Sequence, residues 1–101
     1  EIKVTAAETY EFKDTDNTVL FDTTTHSIVA TLPLAKENVG RVITIKKIHQ
    51  NKYKLRSFVL TVKVEDGLID MSSEITLKNN YSLRTFHSDG KNWWIINKSG
   101  T

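Results

Sequence analysis

Arg41-Val-Ile-Thr-Ile-Lys-Lys-Ile-His49 is the stretch whose reading decides the fold. β-Branched side chains crowd it, and they pack well on a pleated strand while losing rotamer freedom in a helix. Ile43 and Ile45 fall on one face and Val42 and Ile48 on the other. A strand with apolar residues on both faces is expected at the centre of a sheet.

Toward the C-terminus, Gln50-Asn51-Lys52 reads as a polar turn, and the chain returns through Tyr53 to Val64 with Phe58, Leu60, Val62 and Val64 on one face. Two strands joined by a short polar link predict a β-hairpin. Glu65-Asp-Gly67 turns the chain, Leu68-Ile-Asp70 and Glu74-Ile-Thr-Leu77 read as brief strands, and Lys78-Asn-Asn80 turns it again. Tyr81 to His87 is a further strand. Ser88-Asp-Gly-Lys-Asn92 is a tight turn with Gly90 where a positive φ is expected, and Trp93-Trp-Ile-Ile-Asn97 is the last strand.

Toward the N-terminus, Leu34 to Val39 has helix-favouring residues for one or two turns at most, closed by Gly40. Pro33 ends the run Ser27-Ile-Val-Ala-Thr-Leu32, since it has no N–H to donate to a ladder. Thr23-Thr-Thr-His26 links that run to Thr18-Val-Leu-Phe-Asp22, and Asp14-Thr-Asp-Asn17 precedes it as a turn. About eight short strands at this spacing predict an all-β, antiparallel, jelly-roll-like β-sandwich.

Composition agrees. The 101 residues suffice for one domain, 1–101, with a modest core. They include 13 Thr, 9 Ile and 8 Val against 4 Ala and 1 Met. No cysteine is present, which removes disulfides, zinc–thiolate sites and thiol nucleophiles. No apolar run approaches the roughly 20 residues of a membrane helix and no signal-peptide pattern is visible, so membrane insertion is not expected. The chain begins at Glu1 rather than Met and is expected to be a piece of something longer.

The net charge of +2 argues against a dedicated nucleic-acid binder. It is a cancellation, because residues 38–64 hold Arg41, Lys46, Lys47, Lys52, Lys54, Arg56 and Lys63 with no acid, while both flanks are net acidic. Such a distribution suits strands that pair with oppositely charged neighbours, and equally a positive patch for an anionic partner.

Motifs for chemistry are missing. His26, His49 and His87 are scattered, without the convergent ligands that zinc needs, and read as surface or strand-edge residues. Asp14-x-Asp16-Asn17 lacks the later ligands of a calcium loop and reads as a turn. There is no Gly-x-Ser-x-Gly elbow, and four glycines make no phosphate-cradling loop. Twelve acids leave a glycosidase-like carboxylate pair formally open, but they fall in turns and at strand ends. The chain is read as a non-enzyme without metal or cofactor. Asn80-Tyr-Ser82 and Asn97-Lys-Ser99 match the glycosylation triplet, a pattern that chance produces often.

Two groups are candidates for binding. Lys52, Tyr53, Lys54 and Arg56 bracket the central turn, where alternation puts the three cations on one face; they form either a solvated tip or a contact for a receptor or polyanion. With one aromatic among them, stacking on single-stranded nucleic acid has little support. Trp93 and Trp94 are adjacent, so a strand sends them to opposite faces: both are packed, or one anchors the core while the other serves a subunit interface or a sugar platform.

Several pieces occur in an order that resembles a known module. They are Asp14-Thr-Asp-Asn-Thr-Val-Leu-Phe-Asp-Thr-Thr24, Ala30-Thr-Leu-Pro-Leu-Ala35, Gly40-Arg-Val-Ile-Thr-Ile-Lys-Lys-Ile48, Gly67-Leu-Ile-Asp70 and Ser88-Asp-Gly-Lys-Asn-Trp-Trp-Ile-Ile96. This order, from about Tyr10 to Ile96, resembles the β-rich structural module of tailed-phage tail-fibre, head-fibre and other virion appendage proteins. The chain departs from that pattern in a longer, more basic link after Ile48 and in Met71, which stands where a Gly commonly follows the Ile-Asp pair. The resemblance implies a structural domain of a viral fibre or spike, located in the virion and host-exposed. It implies a homotrimer presenting a surface to a host glycan or protein receptor, and the departure after Ile48 marks residues 49–57 as the expected specificity element. The alternative is a carbohydrate- or polyanion-binding β-sandwich module outside a fibre.

Overall fold

In the computed structural model, which describes residues 1–50 and 58–100, nine strands form two sheets. They are β1 (Ile2–Thr5), β2 (Thr9–Glu11), β3 (Thr18–Asp22), β4 (Ile28–Thr31), β5 (Val42–Ile48), β6 (Leu60–Lys63), β7 (Glu74–Leu77), β8 (Leu83–Ser88) and β9 (Trp93–Ser99). The first sheet has the order β1-β3-β5-β8-β9 and the second β2-β4-β6-β7. As the apolar pattern of Arg41–His49 predicts, β5 lies at the centre of the larger sheet.

The first six strands alternate between the sheets, so β1, β3 and β5 stack in parallel on one side and β2, β4 and β6 stack in parallel on the other. Three rungs of a flattened coil result. Only β6–β7, β5–β8 and β8–β9 are antiparallel. The antiparallel, jelly-roll-like expectation is therefore corrected to an all-β fold with two mixed sheets. Period-two alternation is the same in parallel and antiparallel strands, and the connections choose between them.

Those connections turn corners. Asp22 Oδ1 accepts from the Thr24 N–H at 2.9 Å and from the Thr24 hydroxyl, a local bend that competes with ladder pairing. Thr23 N–H then bonds to Ile48 O at 2.9 Å, which stacks this corner on the next rung. The predicted hairpin between the strands of Arg41–His49 and Tyr53–Val64 is not formed: β5 and β6 belong to different sheets. The predicted strand Leu68–Asp70 contributes only bridges from Ile69 to Ser72 and Trp93. The short helical stretch is a 3₁₀ turn over Ala35–Glu37.

The inward rows of the two sheets enclose one core. Val19, Phe21, Ile43, Ile45, Phe86 and Trp93 from the larger sheet meet Ile28, Ala30, Leu60, Val62 and Leu77 from the smaller one. Tyr10, Phe12 and Phe21 close one part of it with edge-to-face rings, their centroids 5.4 to 5.9 Å apart.

Two buried cations stand at inward positions. Lys47 is fully buried, its Nζ donating to Asn80 Oδ1 at 2.6 Å, and desolvation lowers its pKa. Arg84 lies opposite Ile45 on β8 and is 9% exposed.

Candidate functional site

The outward side of the larger sheet is built from in-register rows. Ile2, Thr18, Thr44, Thr85 and Asn97 form one row across all five strands, and Val4, Leu20, Lys46, Leu83 and Ser99 form the next. Val42, His87 and Trp94 form a third across β5, β8 and β9. Thr44 and Thr85 share a hydroxyl–hydroxyl hydrogen bond of 3.0 Å. Ile2, Val4, Val42, Trp94 and Ile96 are exposed large hydrophobics on or beside this face. Its counterpart on the smaller sheet carries Thr9, Glu11, Val29, Thr31, Thr61, Lys63, Glu74 and Thr76, and is mostly polar. Surfaces of such different character on one small domain mark the apolar one as the candidate interface.

The adjacent tryptophans divide between these environments. Trp93 is fully buried, and its indole N–H donates to Pro33 O at 2.9 Å. Its backbone N–H donates to Leu68 O, and its carbonyl accepts from Asp70, so it also stitches the Leu68–Asp70 loop to β9. Trp94 points the other way, 37% exposed, and its indole N–H donates to Asp89 Oδ2 at 2.8 Å. A register shift between Thr85 and Phe86 on β8 leaves Ile96 unpaired on β9, and its side chain stands beside Trp94 and His87.

Asp89 organises the turn before β9. Its Oδ1 accepts the backbone N–H groups of Asn92 at 2.8 Å and Lys91 at 2.9 Å. The Asn92 bond, then those from Trp94 and Lys91, pulls the carboxyl pKa down to about 2. Gly90 takes φ +95° within this turn, as expected.

Of the sequence candidates, Lys52, Tyr53, Lys54 and Arg56 lie outside the described residues. The rest of the basic stretch does not converge. Lys46 reaches over the Tyr81 ring on the outward face, Lys47 is inside, and Lys63 sits on the other sheet, directly opposite Glu74. Arg41 is structural, its guanidinium donating to Asn38 Oδ1, Asp16 O and Lys13 O. Asn80, in a glycosylation triplet, spends its amide oxygen on Lys47.

His49 corrects the surface reading, being 4% exposed, because the end of β5 is covered where the corners stack. His87 is exposed on the outward face. Among the described residues, no three His, Asp or Glu side chains converge to hold a metal ion, and no helix is long and apolar enough to cross a membrane.

One important residue is hidden in what reads as an ordinary turn. Asp16 is 4% exposed and accepts from Tyr10 Oη and from the Lys13 N–H at 2.8 Å, with Lys3 Nζ at 3.4 Å. Burial pushes its pKa up, but these bonds and the Lys3 charge outweigh that and hold it below the usual range. The sequence shows Asp16 only as part of the turn Asp14–Asn17; its partners Tyr10 and Lys3 come from β2 and β1. No protein-family profile matches this chain, and a search of curated proteins finds no match either.

Proposed function

We propose that this chain is a structural domain of a viral fibre or spike that assembles as a homotrimer and presents a host-facing surface. One observation carries the assembly part: the outward side of the five-stranded sheet is apolar and threonine-rich, while the outward side of the other sheet is polar. A face with so few formal charges is suited to copies of itself, since around a threefold axis the side chains nearest the axis meet their own equivalents. A 101-residue β domain without cysteine has a limited core and open strand edges, and subunit contact relieves both. The order of sequence pieces shared with virion appendage modules supports the fibre setting, and a non-catalytic role accords with it.

Light scattering on the purified domain tests the assembly. A mass near three times the 11.5 kDa of one chain is expected at micromolar concentration. A monomer mass under those conditions overturns the homotrimer.

A further inference from the structure

An open groove of about 500 Å³ runs between β7 of the smaller sheet and β9 of the larger one, where the two sheets part. Arg84 lines it from the core side. A nine-tenths-buried arginine is costly unless its charge and donors are matched. Its Nη1 is matched, donating to the carbonyls of Leu83 at 2.8 Å, Ser99 at 3.3 Å and Gly100 at 3.4 Å. Among the described residues, no carboxylate lies within 4.0 Å of the guanidinium and none accepts from Nε or Nη2. Asp70 borders the same groove, but its Oδ1 already accepts the Ile95 N–H at 2.9 Å.

The remaining walls define what would complete the site. Lys98 adds a second positive charge against the one negative charge of Asp70, Ile75 and Ile95 supply apolar surface, and Thr76 and Asn97, which sit on the outward rows of their sheets, border the groove at its rim. A planar guanidinium fork matches a carboxylate through two parallel hydrogen bonds. A groove lined about equally by polar and apolar residues suits a small ligand that has both a C–H face and a hydroxyl rim. We propose that this groove binds a carboxylated sugar, its carboxylate on Arg84 and its hydroxyls toward Thr76 and Asn97. The proposal deepens the receptor-facing part of the function above. Arg84, Ile75 and Ile95 face between the sheets, while Asn97 and Ile96 also border the outward face of the larger one, so the oligomer mass is measured before binding is tested.

NMR on the full 101-residue chain tests it, following Arg84 Nε–Hε and the amides of Thr76 and Asn97. The probes are N-acetylneuraminic acid and glucuronic acid, with glucose, acetate and sulfate alongside. Saturable shifts at these groups are expected with the sugar acids, and weaker ones with acetate and sulfate. Arg84→Lys keeps the charge but loses the fork, and should weaken binding about tenfold or more. Lys98→Ala, at an exposed position, should weaken it less while leaving the amide spectrum otherwise intact. Absent shifts, equal shifts with glucose, equal affinity for acetate or sulfate, or full affinity in a folded Arg84→Lys variant would each overturn the proposal. The oligomer mass measured beforehand tells its failure apart from failure of the assembly.

Discussion

The Trp94 indole N–H and the Asp89 carboxylate, 2.8 Å apart, tie an exposed aromatic on β9 to the turn that launches β9. The indole on the rim of the apolar face is thereby held in one orientation before any partner arrives, which lowers the entropy cost of using it in a contact.

The same relationship sets a pH dependence. The Asp89 pKa falls from an ordinary 3.8 to about 2 on folding, so the charged form is favoured in the folded state. Its contribution is fully present above about pH 4 and is lost as pH falls through about 2. Thermal melting followed by tryptophan fluorescence should show a steady melting temperature near neutrality and a decline below pH 4. Asp89→Asn should lower the neutral-pH value and flatten part of that decline. Asp16 and Asp22, also held low, contribute with the same sign and remain in the variant. A variant whose acid profile parallels the wild type would show that Asp89 does not contribute.

Trp93 and Trp94 should separate stability from assembly. Trp93→Ala empties a fully buried site and removes the bond to Pro33 O, and should cost about 3–5 kcal/mol in urea unfolding. Trp94→Ala removes a partly exposed ring and should cost less than about 1 kcal/mol within one chain. Its main effect should be a lower mass by light scattering, because aromatic anchors dominate interfaces.

Asp16 is expected to matter more than any other acid to the first rungs. Asp16→Ala leaves the Tyr10 hydroxyl and the Lys13 N–H without their acceptor, and should lower the unfolding free energy by about 2–3 kcal/mol. Lys3→Ala should cost clearly less than Asp16→Ala, since Lys3 is exposed and its ion pair is largely screened. Chemical denaturation of both variants checks the contrast. Equal losses would mean that the ion pair, rather than the hydrogen bonds, holds the corner.

Met71 is predicted to be replaceable with benefit. It takes φ +70° with its side chain 68% exposed, the left-handed region that favours glycine. A non-glycine residue there costs about 1–2 kcal/mol, while glycine adds about 0.5–1 kcal/mol of unfolded-chain entropy. Met71→Gly should therefore stabilise the domain by about 0.5–1 kcal/mol in urea unfolding. Asp70, also at positive φ, should not tolerate the same change, because its carboxylate anchors the Ile95 N–H.

The opposite fates of Trp93 and Trp94 were legible in adjacency alone, because a strand sends neighbours to opposite faces; which one faces the core was not. Arg41–His49 likewise announced a central strand, and Thr18–Asp22 and the turn around Gly90 could be placed to the residue. These features depend on side-chain alternation and local backbone preference, which a few consecutive residues determine. The strands of the first rung were not anticipated, since β1 and β2 are short, mostly exposed edges with little apolar signal.

What only the tertiary structure decided was partnership. Thr18 lies beside Thr44, Ile28 beside Leu60, and His49 beneath a stacked corner because the chain coils between two sheets instead of folding back on itself. Alternation carries no record of strand direction, so the hairpin expectation for Arg41–Val64 had nothing local to contradict it. Lys47 and Arg84 show the same limit from the side of chemistry. In sequence they are ordinary strand cations, and their burial is set by parity with Ile45 and Phe86 and by elements more than thirty residues away. Local sequence determined that this chain is made of strands; long-range packing determined which strands meet, and so where its buried cations and its exposed apolar face lie.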